Sequence, residues 1–277
     1  MIKRFLKQAG RVLLLASLFT TANLSYANSA ESLKRLHEMR LLTFSTLGDY
    51  YMFSGLEGDT RYNREVEAGV KRFEAHLAEL SKDGSPAGKL TTWAASMETW
   101  HKFRKLLDTN RADFLVRGYA DARLVSDLSN AALNLSDQLG LAYDEFKATE
   151  KIQLSEWTQY CREMGLIIQK VTAEYAAHST SSLGQVAKIE LNKGGMGVEA
   201  EKFNKLLEKL KTAPTPSKRI FKMLDQVGVK WEFIAKSVKN YNENAVPFIV
   251  STYGDRISQN LDTIADHYSG TVTAKAE

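Results

Sequence analysis

The residue types that most often do chemistry are sparse in this chain and do not gather. Five histidines, His37, His76, His101, His178 and His267, are scattered along its length. One pair has ligand spacing, Glu98-x-x-His101, which on a helix puts both side chains on one face. A di-iron bundle needs that motif twice, with two further glutamates. At the matching place later in the chain Glu232 follows Trp231 without a histidine. The pair reads as a solvated helix face, and no metal or other cofactor is expected. Cys161 is the single thiol; it sits among helix formers and reads as a small buried hydrophobe. Cys-x-x-Cys-His, His-Glu-x-x-His, Gly-x-Ser-x-Gly and the Gly-x-x-x-x-Gly-Lys-Ser/Thr phosphate loop do not occur. Gly194-Gly195-Met196-Gly197 lacks both the preceding strand and the lysine that a phosphate cradle requires. With no catalytic residues to name, the chain is not expected to be an enzyme.

The elements that would position any site are helices. Val66, Val70, Phe73, Leu77 and Leu80 recur at steps of four and three, as do Phe203, Leu206, Leu207 and Leu210. Tyr253, Ile257, Leu261, Ile264 and Tyr268 continue the pattern. These are apolar stripes on amphipathic helices, each of which must be buried against another element. Breaks fall at 55–60, 81–88, 192–197 and 212–217, with Asp59 or Thr60 placed to cap a helix. The landmarks repeat. Phe73 leads to Leu80 and then Trp100; Phe203 leads to Leu210 and then Trp231. The expected fold is all-α, two tandem up-and-down four-helix bundles over residues 31–148 and 149–269, with a frayed tail at 270–277. Trp100, Trp231, Phe73 and Phe203 are the expected core anchors, with Trp93, Phe103 and Phe233 beside them. Between Tyr119 and Ala177 there is no proline and no cluster of glycine or serine. That predicts one shared helix of about 60 residues, roughly 90 Å long, with the bundles stacked end to end on it.

Residues 1–27 read as a signal peptide. Lys3, Arg4, Lys7 and Arg11 precede a short apolar run, and Ser25-Tyr26-Ala27 puts small residues at the cleavage positions. The apolar run is too short for a membrane span. Cleavage after Ala27 predicts a periplasmic protein. Removing those four of 37 basic residues leaves 33 basic against 33 acidic, so no electrostatic case for nucleic acid remains.

In the second half, Gln169-Lys170-Val171-Thr172-Ala173-Glu174-Tyr175 is followed by Phe203-x-x-x-Leu207-x-x-Leu210 and Trp231. In the first, Arg40-Leu41-Leu42-Thr43 and Tyr50 are followed by Phe73-x-x-x-Leu77-x-x-Leu80 and Trp100. This order resembles, in two copies, the PilJ-type periplasmic sensor domain, the N-terminal domain of type IV pili methyl-accepting chemotaxis transducers. The family's first helix carries two arginines. Arg40 stands at the first in half one, with Ser45 at the second; in half two Gly165 and Lys170 take those places. The resemblance implies a ligand-binding sensory module whose small-molecule or anion ligand would sit near Arg40, Gln169 and Lys170. Tyr50 and Tyr175, each near the end of a first helix, are further candidates. It also implies a membrane-bound signalling partner reached by contact, since the sequence shows no later membrane segment. The rival reading is a structural or adaptor protein with no small-molecule ligand. A sensing module should show a polar-lined cavity; an adaptor should show an exposed apolar patch.

Overall fold

The computed structural model describes residues 2–82, 85–180, 189–192, 194–214, 217–241 and 245–273, with side chains from residue 28 to residue 269. The regular elements among them are α1 (Ile2–Gly55), α2 (Thr60–Leu80), α3 (Trp93–Arg117), α4 (Ala122–Thr149), α5 (Glu156–Thr180), α6 (Met196–Lys211), α7 (Lys218–Lys239) and α8 (Pro247–Thr273). A short 3-10 turn occupies Pro86–Lys89. The protein is all-α. No helix among the described residues is long and apolar enough to cross a membrane. The expected cleavage site falls on residues whose side chains lie outside the described set.

Short polar side chains set the helix boundaries by satisfying the first backbone N–H groups. Asp59 accepts from the N–H of Arg61 at 2.7 Å and opens α2. Asp121 accepts from Arg123 and Leu124 at 2.9 and 3.1 Å and opens α4. Ser217 accepts from Ile220 at 3.3 Å and opens α7. Helix α3 is capped from a distance: the Glu145 carboxylate on α4 accepts from the N–H and hydroxyl of both Thr91 and Thr92. Those bonds, the Thr91 N–H foremost, hold its carboxyl down at about 2.

The buried apolar side chains fall into two clusters, a first group drawn mainly from α1–α4 and a second from α5–α8. In the first, Phe73 stacks on Trp100 with ring centres 3.8 Å apart. In the second, Phe203 packs on Trp231 at 4.3 Å, and the indole N–H of Trp231 donates to Asn204 Oδ1 at 2.6 Å. The four expected anchors are buried, and the spacing that links them along the chain is matched by equivalent contacts in space. A buried tryptophan hides roughly 150–250 Å², worth about 4–6 kcal/mol at 25 cal/mol per Å².

Helix α5 is buried nearly all round, as a helix between two cores must be. Cys161, Met164, Ile168, Val171 and Tyr175 serve one core; Ala173, Ala176 and Ala177 serve the other. It lies along α1. A Cβ on Gly48 would stand 3.3 Å from the Cα of Ala173, and Thr180 Oγ1 donates to the Tyr51 carbonyl at 3.2 Å. Gly55 meets Thr180 just as Gly48 meets Ala173, the same number of residues apart. The two helices therefore run parallel and in register.

That arrangement replaces the expected shared helix. α4 ends at Thr149 and α5 begins at Glu156, and the groups pack side by side through α1 and α5. The stop is a Schellman turn: Ile152 N–H donates to the Lys147 carbonyl at 3.0 Å and Lys151 N–H to that of Ala148 at 3.3 Å. Lys151 takes the left-handed position, φ 53°, usually held by glycine. Buried Ile152 provides the apolar contact that accompanies such turns. Ser155 then caps α5 through the Thr158 N–H at 3.0 Å. Two smaller expectations also change. Phe233 is 62% exposed rather than in the core, and α8 runs to Thr273, the rest of the expected frayed tail, 274–277, lying outside the described residues.

Candidate functional site

The α1–α5 seam has a cleft on each flank. One, about 420 Å³, opens between α1, α4, α5 and α6; the other, about 570 Å³, opens between α1, α2, α5 and α8. Glu38, Leu41, Leu42 and Ser45 line the larger cleft, and Glu163, Leu166, Ile167 and Lys170, equally spaced further along, line the smaller. Matching positions of the two first helices thus face opposite clefts.

The smaller cleft is basic. Arg40, Lys147, Arg162, Lys170 and Lys202 line it, against Asp144, Glu163 and Glu199. Lys202 and Glu163 pair on its rim at 2.7 Å. Arg40 lies across Gly140 of α4, where a Cβ would stand 3.3 Å from the guanidinium carbon. Its Nε is buried with no hydrogen-bond partner. Burial lowers the Arg40 pKa from its ordinary value, while Asp144 and Asp137 oppose the change. Lys170 holds its ammonium 5.7 Å over the Phe44 ring, and burial lowers its pKa too. Arg162 donates to the Tyr143 hydroxyl at 2.8 Å. Beside it His37 is enclosed, and burial, with Arg162 and Arg40 next, holds its pKa well below the usual histidine range. It is therefore neutral at pH 7.

Of the residues singled out by sequence, Arg40 and Lys170 come together here although they belong to different halves. Gln169, the next residue on α5, points into the other cleft, as successive helical residues diverge by about 100°. Its Nε2 donates to Asp255 Oδ1 at 3.5 Å. Tyr50 and Tyr175 line neither cleft. Both are wholly buried; the Tyr50 hydroxyl donates to Asn110 Oδ1 at 3.3 Å and that of Tyr175 accepts from the Val246 N–H at 3.0 Å. They are core residues whose hydroxyls are satisfied inside the fold. Glu98 and His101 lie on an exposed face. Cys161 is buried, and burial pushes its thiol pKa up, which leaves little thiolate. Sequence reasoning missed His37 and Arg162. They stand as far apart along the chain as Gly48 and Ala173, so the repeat itself was the signal that could have found them.

The larger cleft carries Glu38, Asp49, Glu65, Asp255 and Asp262, with Arg61, Arg72, Arg256 and His76. Asp49 is the most deeply placed carboxyl here to carry no ion pair or hydrogen bond with a described residue. Burial raises its pKa well above the ordinary value, Asp255 and Glu65 add to this, and Arg72 and Arg61 pull the other way. Burial likewise raises Asp255 against the Gln169 hydrogen bond. Compared with protein-family models, curated proteins and solved structures, the chain finds no match.

Proposed function

We propose that this protein is a non-catalytic, ligand-binding sensory module of the PilJ-like type, exported after loss of residues 1–27, and that its basic cleft takes a small anion. The observation that carries this reading is the convergence of Arg40, Arg162 and Lys170 on one 420 Å³ space, with a buried Arg40 Nε lacking a partner. Arg40 and Lys170 also form no ion pair with a described residue. Partly buried cations held only by carboxylates out of contact are costly, and an anion held by both would relieve that cost with charge-assisted hydrogen bonds. Because the cleft is walled by α1 and α5, its occupancy bears on both halves at once. A membrane-bound partner touching either half would sense it.

A ligand-free adaptor is the second reading, favoured by one observation. Phe221, Val229 and Phe233 on α7 are largely exposed, apolar side chains suited to contact with another protein. A thermal-shift series separates the two readings. Nitrate, phosphate, acetate and small dicarboxylates are compared at constant ionic strength on the wild type and on Arg40→Gln/Lys170→Met. A ligand that binds only the folded state raises the melting temperature in proportion to occupancy. The sensory reading expects at least one anion to raise that of the wild type alone. An equal shift in the double variant, or none with any anion, would favour the adaptor.

A further inference from the structure

The floor of the larger cleft is built differently from its rim. On the rim, Glu38 and Asp262 are engaged: Lys34 Nζ lies 3.6 Å from Glu38 and 3.8 Å from Asp262, and His76 Nε2 lies 3.3 Å from Glu38. Arg61 is drawn to rings, 5.5 Å over Tyr62 and 5.1 Å over Phe248. On the floor, Asp49 has no ion pair or hydrogen bond with a described residue. Asp255 has only the long bond from Gln169.

Sharing Asp49, Gln169 and Asp255 with the cleft is a recess of about 10 Å³, lined also by Thr172 among others. Thr172 is 6% exposed, and its hydroxyl has no hydrogen-bond partner. Thr43 and Ser129, also buried on helices, donate to the carbonyl one turn back, of Met39 and of Val125. Thr172 forgoes that bond, so the recess is lined by a residue with a partnerless hydroxyl, by Asp49 without a partner, and by Asp255 with only the long bond from Gln169.

We infer that this cleft binds the primary ammonium group of a small organic amine, seated between the Asp49 and Asp255 carboxylates over Thr172. The recess has room for a group about the size of one water, which fits –NH₃⁺ and excludes a guanidinium or a quaternary ammonium. An –NH₃⁺ group has three donors and no acceptor, one for each carboxylate and one for the threonine oxygen. The remaining cleft volume lies within the range of small-molecule sites. Arg72 and Arg256 above the floor would favour an amine with an anionic far end over a bare polyamine.

Calorimetric titration of the full chain with ethylamine, putrescine, alanine and tetramethylammonium tests this. Primary amines should bind and tetramethylammonium should not. Stronger binding by alanine identifies a zwitterionic ligand, and stronger binding by putrescine a diamine; either supports the ammonium seat. Asp49→Asn and Asp255→Asn should each weaken amine binding by about tenfold or more, with circular dichroism confirming that they fold. The heats are read in buffer without nitrate, phosphate or carboxylate, which keeps this test separate from the anion reading. Glu98→Gln, exposed on α3 and lining neither cleft, should leave amine binding unchanged. Equal amine affinity in Asp49→Asn/Asp255→Asn, binding of tetramethylammonium, or no heat with any amine would overturn the inference.

Discussion

Two helical glycines offer a controlled measurement of how tightly the second group is packed. Gly228 in α7 has open space where a Cβ would go, with no atom within 4 Å. Gly228→Ala therefore gains only helix propensity, about 0.5–1 kcal/mol. Gly254 in α8 faces α5. A Cβ there would stand 2.4 Å from Thr172 Oγ1 and 3.3 Å from its Cγ2. Thr172 is β-branched on a helix, so turning its hydroxyl aside brings another substituent toward the same place. Overpacking of this kind costs roughly 1–3 kcal/mol. Set against the same propensity gain, Gly254→Ala should be destabilising by up to about 2.5 kcal/mol. At about 2–4 °C per kcal/mol for a chain of this size, the two variants should melt on opposite sides of the wild type. Thr172→Ala removes both offending atoms, so Gly254→Ala added to it should recover the gain. Thermal melts of the four variants, read by circular dichroism at one pH, complete the cycle. If Gly254→Ala raises the melting temperature as much as Gly228→Ala does, α5 and α8 are not in the close contact described.

Trp100→Ala and Trp231→Ala should each cost about 3–5 kcal/mol and combine nearly additively because they sit in separate cores; denaturant melts check both, and wild-type behaviour by either would place that ring outside a core. Lys151→Gly should stabilise the protein by about 0.5–1 kcal/mol, since glycine fills the left-handed position without steric cost, and a lower melting temperature would mean the corner is not left-handed. Asp49→Asn should change the pH dependence. The Asp49 pKa is raised in the fold, so its contribution is fully present below the ordinary carboxyl value and is lost as pH rises through the folded one. The variant should then melt above the wild type at neutral pH, with the gap closing toward about pH 4, and a gap that does not vary with pH would refute the assignment.

Fold class was legible because the apolar stripes repeat at helical spacing and each break carries its own chemistry, as at Asp59 and Ser217. The anchors were legible for the same reason. The corner at 150–155 was not, because its left-handed residue is a lysine and its cap is the lone serine Ser155. Without glycine or proline, a turn looks like helix. Burial of α5 between two cores also hid its faces, since an all-round apolar helix gives no direction to its polar residues. Hence Gln169 and Lys170, adjacent in sequence, were expected at one site and stand in opposite clefts. Tyr50 and Tyr175 read as ligand candidates because a tyrosine's hydroxyl suits either role; only the partners Asn110 and Val246, remote in sequence, decide it.

The parallel, in-register meeting of α1 and α5 has the geometry of a self-complementary two-fold contact carried on a single chain. In a dimer of identical subunits, both flanks of such a contact must be chemically the same, because every residue appears twice. Covalent joining lifts that restriction. Ser45 and Lys170 occupy matching places, as do Arg40 and Gly165, and a change at one leaves its counterpart untouched. One flank is cationic while the other collects carboxylates, a difference that strict symmetry would forbid. The two flanks still share their walls, so any ligand that spread the helices on one side would be felt on the other, with the reciprocity that linkage imposes on coupled sites.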